Sequence, residues 1–386
     1  MEMEMETMKN TVLPPYLPKE MIFQILVRLP VKSLIKFKCV CKFWFFIISS
    51  DTDFANTQFQ LTASTHTQRV LLMTTISTPR TRSVDLEALD DTKAFTSHKY
   101  PASLLKTSDL LSLVEMKGSC RGFILFICYS NLSLYVWNPS TGVNKQIPLS
   151  PLCLENKVEE YFYGFGYDPL TDDYLIVSLS SDINSSYLEF FSFRANMYKQ
   201  IDEGTQICYL SYNDGADDAC EPGLLFNGSI HWFAYRPDLK NDVIVAFDLM
   251  ERKLLDMHLP DQFDDHTFRS RGLWVFQEFL SLWTMDYGNY DTLEIWVMKE
   301  YKLHSSWTKT HVLPIIDDIP FKYIFPLTST KSGDIVATDG VMTFVKYNDE
   351  GQVLWHCDFY NPHGSGTQVV MYTESLLSLP GDNVQA

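Results

Sequence analysis

The sequence predicts an α+β chain by domain: a small three-helix unit, then a predominantly β repeat domain. Three observations carry that reading. Apolar residues between Ile22 and Ile48 recur every three to four positions, the period of one helical face. From about residue 68 the chain turns to short apolar runs split by turn residues, with centres about 50 to 55 residues apart, as in an array of supersecondary units. The aromatic share of 14% favours a pleated surface, where flat side chains pack well.

In the helical part, Pro18 suits a first turn, and Ile22, Ile25, Leu26 and Leu29 collect on one face. Pro30 stops that helix. Val31, Leu34, Ile35 and Phe37 give a second short helix, and Val40, Cys41, Trp44, Ile47 and Ile48 a third. A unit of about 40 residues rarely buries enough apolar surface to stand without a metal, a disulfide or a partner. Its stripes must therefore be covered, either by the rest of the chain or by another protein.

In the β part, strand centres fall at Leu71, Phe126, Ile176, His231, Leu282 and Ile335. A second apolar run, a polar turn and a polar strand follow most of them, as in LYVWNPSTGVNKQIP, LEFFSFRANMYKQI and IVAFDLMERKLLDMHLP. Each set is a hairpin plus neighbours, the content of a four-stranded propeller blade. About six such units fit between residues 60 and 375. A pair of packed sheets is the alternative, but it does not predict the regular period.

Charge limits the partners. Residues 1–60 hold seven basic against six acidic side chains, net +1, which leaves −18 of the total −17 to the remainder. Such a field repels phosphate backbones, so nucleic acid is not an expected partner. No apolar run approaches the roughly 20 residues of a membrane helix, and the start MEMEMETMKN is acidic, unlike a signal peptide. The expectation is an intracellular chain, in cytoplasm or nucleus, with no membrane contact. Its 8 cysteines then read as reduced thiols, and the sequons at Asn131, Asn184 and Asn227 as chance matches.

Motifs for chemistry are missing. The sequence has no phosphate-cradling GxxxxGK[ST] and no HExxH. Cys39 and Cys41 would sit on different sides of a helix, a poor ligand pair, and His356-Cys357 lacks companions. No cofactor, metal or catalytic residue is expected. The doublets Asp172-Asp173, Asp217-Asp218, Asp264-Asp265 and Asp317-Asp318 read as solvated turns, or else as a negative rim that attracts a basic client. His231 and Trp232 should alternate on a strand, one toward the next blade and one toward the channel. Trp137, Trp274, Trp283, Trp296 and Trp307 read as packing between blades.

Residues 17–49, LPKEMIFQILVRLPVKSLIKFKCVCKFWFFIIS, resemble the F-box. SCRGFILF, VWNPSTGVNKQIP, YGFGYDPLTDDYLIV and LLFNGSIHWFA resemble motifs of the F-box-associated, kelch-like domain in the large plant F-box family. Arg121 departs from that family's usual Asn before Gly122. The resemblance implies an N-terminal tail at 1–12, an F-box at 13–55, a kelch-like β-propeller interaction domain at 60–375 and a C-terminal tail at 376–386. It further implies a non-catalytic, substrate-recognition subunit of a Skp-cullin-F-box ubiquitin ligase. The F-box would hold a Skp-type adaptor, and through it a cullin-RING ligase, by Leu17, Pro18, Ile22, Ile25, Leu29, Pro30, Leu34, Val40 and Trp44. Trp44 is equally placed to pack the third helix internally. The β-domain would hold a target protein whose identity the sequence leaves open. The alternative is a scaffold or decoy that binds the adaptor without delivering a client.

Overall fold

The computed structural model describes residues 17–62, 68–74, 80–86, 95–98, 114–129, 132–150, 160–181, 185–201, 207–210, 222–261, 263, 268–286, 291–316, 323–330, 332–340, 343–358 and 367–381. These fall into a helical unit within residues 1–65 and a strand unit within 66–385. The sequons at Asn131 and Asn184, the doublets at 217–218, 264–265 and 317–318, and the tail at 1–12 lie outside the described residues.

Among its described residues the helical unit has four helices: α1 (Lys19–Leu26), α2 (Val31–Phe37), α3 (Lys42–Ser50) and α4 (Thr52–Thr62). Pro18 and Pro30 each precede a helix, and their carbonyls accept the first-turn N–H groups of Ile22 and Leu34 at 3.1 Å. Pro30 thus caps α2 as well as ending the turn after α1. Three helices were expected, and α4 is the addition. Its start is fixed by Asp51, whose Oδ1 accepts the Phe54 N–H at 2.9 Å, a side-chain cap for an otherwise orphaned donor. The segment is mostly polar, and only Phe54, Ala55 and Gln58 turn inward. That is too narrow an apolar face to show in a periodicity scan. Leu26, Val31, Leu34, Ile47 and Ile48 complete the buried interior, with the Phe23 ring edge-on to Phe54 at 5.2 Å.

The strand unit is six four-stranded antiparallel sheets. Gln68–Thr74, Arg80–Asp85 and Phe95–His98 (β1–β3) belong to the first blade. Val114–Cys120, Phe123–Cys128, Ser133–Trp137 and Asn144–Pro148 (β4–β7) form the second. Glu160–Asp168, Asp173–Ser181, Ser186–Ser192 and Met197–Gln200 (β8–β11) form the third. Leu224–Phe226, Ser229–Arg236, Asn241–Asp248 and Lys253–His258 (β12–β15) form the fourth. The fifth is Phe268–Phe276, Phe279–Asp286, Thr292–Met298 and Trp307–Pro314 (β16–β19). Phe325–Ser329, Ile335–Thr338, Thr343–Tyr347 and Val353–Asp358 (β20–β23) make the sixth, and Thr367–Thr373 (β24) returns to pair with β1 in the first. The domain is a six-bladed propeller closed by its last strand.

Side chains alternating on each strand build the cores between blades, as the two-residue period requires. In β14, Val243, Val245 and Phe247 pack with Val177 and Leu179 of the third blade. Ile244 and Ala246, between them, pack with Leu280 and Leu282 of the fifth. Likewise Leu71 and Met73 join the second blade while Val70 and Leu72 join the sixth. A Cβ on Gly164 would stand 2.4 Å from Ile230 Cγ2, so glycine in the GFGYD stretch lets the fourth blade close onto β8.

Closure continues past the last strand. Gln368 of β24 donates from Nε2 to the Val114 carbonyl at 3.1 Å and accepts the Met116 N–H at 2.6 Å. Asn138, from the Asn-Pro-Ser-Thr stretch, accepts the Ser140 N–H at 2.9 Å and donates to the Ser375 carbonyl at 3.0 Å. One side chain therefore shapes a turn in the second blade and holds the chain end. Beyond residue 375, where the sequence reading began a tail, Leu376, Leu377 and Leu379 are buried.

Candidate functional site

On the helical unit, burial sorts the anticipated contact residues. Leu17, Pro18, Ile25, Pro30 and Val40 are exposed, and Ile22, Leu29 and Trp44 are half-buried. Leu34 is fully buried, so it packs the helices from within. Trp44 lies 5.5 Å from the Phe37 ring, bracing α3 against α2 while part of its indole meets solvent. The Gln58 amide donates to the Leu29 carbonyl at 3.2 Å, which fixes the turn ahead of Pro30.

Three further apolar side chains join this surface: Met21 at 52% exposure, Phe45 at 49% and Phe46 at 60%. Met21 was legible, since it stands four residues before Ile25 and so shares one face of α1 with it. Phe45 and Phe46 were not, because KFWFFIISS is apolar on all sides and only the packing shows that Ile47 and Ile48 turn inward. Between residues 17 and 50 stand Lys19, Arg28, Lys32, Lys36, Lys38 and Lys42 against the one acid Glu20. Lys19 lies over the Phe43 ring at 5.3 Å, and partial burial lowers the Lys38 ammonium below the usual lysine range. The unit exposes several large apolar side chains in a segment rich in cations, a composition suited to an acidic partner with apolar pockets.

The propeller's tempting residues are structural. Trp232 packs into the core shared with the third blade, and its Nε1 donates to the Tyr163 carbonyl at 3.0 Å. One of the pair was expected to face the channel, but both pack between blades: His231 reaches the fifth, with Nε2 at 2.8 Å from the Tyr301 hydroxyl and Nδ1 at 3.2 Å from the Leu224 carbonyl. Trp137, Trp274, Trp283 and Trp296 are buried between blades, and the Trp307 indole donates to the His258 carbonyl at 3.1 Å. Burial pushes His231 down to about 4 from 6.5. A depressed histidine stabilises the fold above the unfolded value and loses that contribution as pH falls from about 6.5 toward 4. Wild type should therefore lose about 2 kcal/mol of unfolding free energy between pH 7 and pH 5 through this group. Urea titrations at the two pH values, compared with a His231→Gln variant lacking that component, check it.

Of the acidic doublets, Asp172-Asp173 is described. Asp172 is exposed, accepts the Tyr167 hydroxyl at 2.7 Å and pairs with Arg194 at 2.6 Å. Asp173 is buried and accepts the Arg194 N–H at 2.8 Å. Neighbouring Asp168 joins the third blade to the fourth through Arg252 at 2.6 Å. Burial opposes its charge, yet the Thr171 hydroxyl, the Leu170 N–H and the Arg252 guanidinium hold its carboxyl below the usual range. Arg121 occupies a left-handed turn position, φ +48°, and lies over the Tyr167 ring at 3.8 Å. Among the described residues, no cluster of three His, Cys, Asp or Glu side chains is arranged to hold a metal ion, and no helix is long and apolar enough to cross a membrane. Cys39 and Cys41 lie in the turn between α2 and α3, not on a helix.

Comparison with known proteins agrees with both units. Residues 15–55 match the F-box domain, and residues 69–377 match the F-box associated beta propeller domain. An F-box/kelch-repeat protein of Arabidopsis thaliana is 26% identical over 360 residues, covering 91% of each chain. A second F-box protein of that plant is 24% identical over 393 residues, 96% of this chain and 92% of the other. The Arabidopsis F-box protein CPR1 is 27% identical over 342 residues, 82% of this chain and 77% of its own. With the helices at its head and six blades behind them, the chain belongs to the F-box associated β-propeller family.

Proposed function

We propose that the protein is the target-binding subunit of a Skp-cullin-F-box ubiquitin ligase. The helical unit docks a Skp-type adaptor, the adaptor brings the cullin-RING machinery, and the propeller holds the protein to be modified. The chain acts by proximity, converting an encounter between ubiquitin carrier and target into a near-intramolecular step. Supporting this is one observation: a unit of about 45 residues matching the F-box leaves Leu17, Met21, Ile25, Val40, Phe45 and Phe46 exposed. Such a surface is costly in water and is half of an interface.

Ile25 is 51% exposed, so Ile25→Asp leaves the helical core intact while setting a carboxylate among the exposed apolar residues. The variant should lose at least about 3 kcal/mol of adaptor binding, roughly a hundredfold. Affinity purification of the full chain should recover adaptor, cullin and ubiquitin-linked proteins. The Ile25→Asp chain should recover none of the first two while keeping the same target proteins. Recovery of the ligase by both chains would contradict the proposal.

A further inference from the structure

The turn between α2 and α3 carries two thiols that adaptor docking leaves without a role. Cys39 and Cys41 are both exposed and neither is in a disulfide, while Cys120 and Cys128 of the propeller are buried. Burial pushes the Cys120 thiol up to about 12, which leaves it inert. The exposed pair flanks Val40, 58% exposed, and is itself flanked in sequence by Lys36, Lys38 and Lys42. Accessible thiols are the ones that exchange with small disulfides, and lysines close by in sequence raise the local concentration of an anionic reagent.

We propose that Cys39 and Cys41 form a modification site for anionic low-molecular-weight disulfides, and that the adduct drives the adaptor off the helical face. The second half rests on the adaptor reading above. A thiolate at either position attacks one sulfur of the reagent. A new S–S bond forms, the reagent's S–S bond breaks, and its other half leaves as a thiolate, so the cysteine is oxidised and half the reagent reduced. The product places a carboxylate-bearing peptide next to Val40, where docking requires an apolar surface. A dithiol reverses the step by the same exchange.

The test treats the full chain with oxidised glutathione, maps the adducts by mass spectrometry and measures binding of a Skp-type adaptor before treatment, after it and after dithiothreitol. Adducts should form at Cys39 and Cys41 before Cys120 or Cys128, affinity should fall at least about tenfold, and dithiothreitol should restore it. Untreated Cys39→Ser, Cys41→Ser protein should bind within about threefold of wild type and ignore the reagent, as expected for side chains outside the apolar contact. Adducts at the buried cysteines first, or none at the pair, overturn the site. Adducts at the pair with unchanged affinity overturn the displacement. An untreated chain that binds no adaptor overturns the adaptor reading and the displacement with it, and the mass map still decides the site by itself.

Discussion

Asp242→Ala is expected to destabilise the propeller by about 3–5 kcal/mol, the cost of stripping one partner from a buried ion pair. Asp242, second in β14, has a fully buried side chain and pairs with Arg271 of β16, itself 8% exposed. The guanidinium also lies 4.7 Å over the Phe233 ring, so it is held between the fourth and fifth blades and cannot swing to water. Removing the carboxylate strips its counter-charge from a guanidinium that lies against the Phe233 ring. Replacing both partners, Asp242→Leu with Arg271→Met, should recover most of the loss, because the desolvation penalty goes with the charges. Urea unfolding followed by tryptophan fluorescence reads both variants. A single variant within 1 kcal/mol of wild type would remove the pair from the account.

Gly122→Ala should cost about 3 kcal/mol or more, combining a left-handed backbone penalty with an overpacked contact. Gly122 sits at φ +90°, and a Cβ there would stand 2.2 Å from Ser375 Cβ and 2.8 Å from the Thr373 carbonyl oxygen. That neighbour is the segment leading out of β24, the strand that closes the ring. Gly142 offers the control: φ +79° with nothing within 4 Å of the added Cβ. Gly142→Ala therefore carries the backbone penalty alone, about 1–2 kcal/mol. Faster hydrogen exchange at residues 374–379 in Gly122→Ala, and not in Gly142→Ala, would show the chain end released. Equal losses in the two variants would mean that closure does not depend on this contact.

Much of the fold was legible because the two periods differ so clearly. Leu71, Phe126, Ile176, His231, Leu282 and Ile335 all lie on the second strand of their blade in spatial order, and the hairpins that follow are the third and fourth strands. Second strands are buried on both sides, between neighbouring blades, so they read as near-continuous apolar runs. First strands hid because they carry glycine and polar residues at close approaches, as in VEMKGSC, and because β12 has three residues. The return of β24 to the first blade joins residues about 300 apart in sequence, and no local pattern encodes such a pairing.

Burial divides the candidate docking residues in a way that periodicity alone does not. The i, i+4 pair Met21 and Ile25 marks an outward face, whereas Leu34 has the same apolar character and lies inside. Periodicity identifies a face; only packing decides whether it turns to the core or to a partner. For His231, alternation along β13 correctly separated it from Trp232. The expected channel-facing member failed because Trp232 packs against the third blade and His231 against Tyr301, in a turn 70 residues away.

The most direct test of the central claim is titration of the folded chain, residues 1–386, with a purified Skp-type adaptor. An F-box docking face predicts one-to-one binding with a Kd below about 1 μM, an unfavourable response to salt from the lysine-rich rim, and loss of that binding in Ile25→Asp. No binding at about 100 μM adaptor, or binding that Ile25→Asp leaves unchanged, would contradict it.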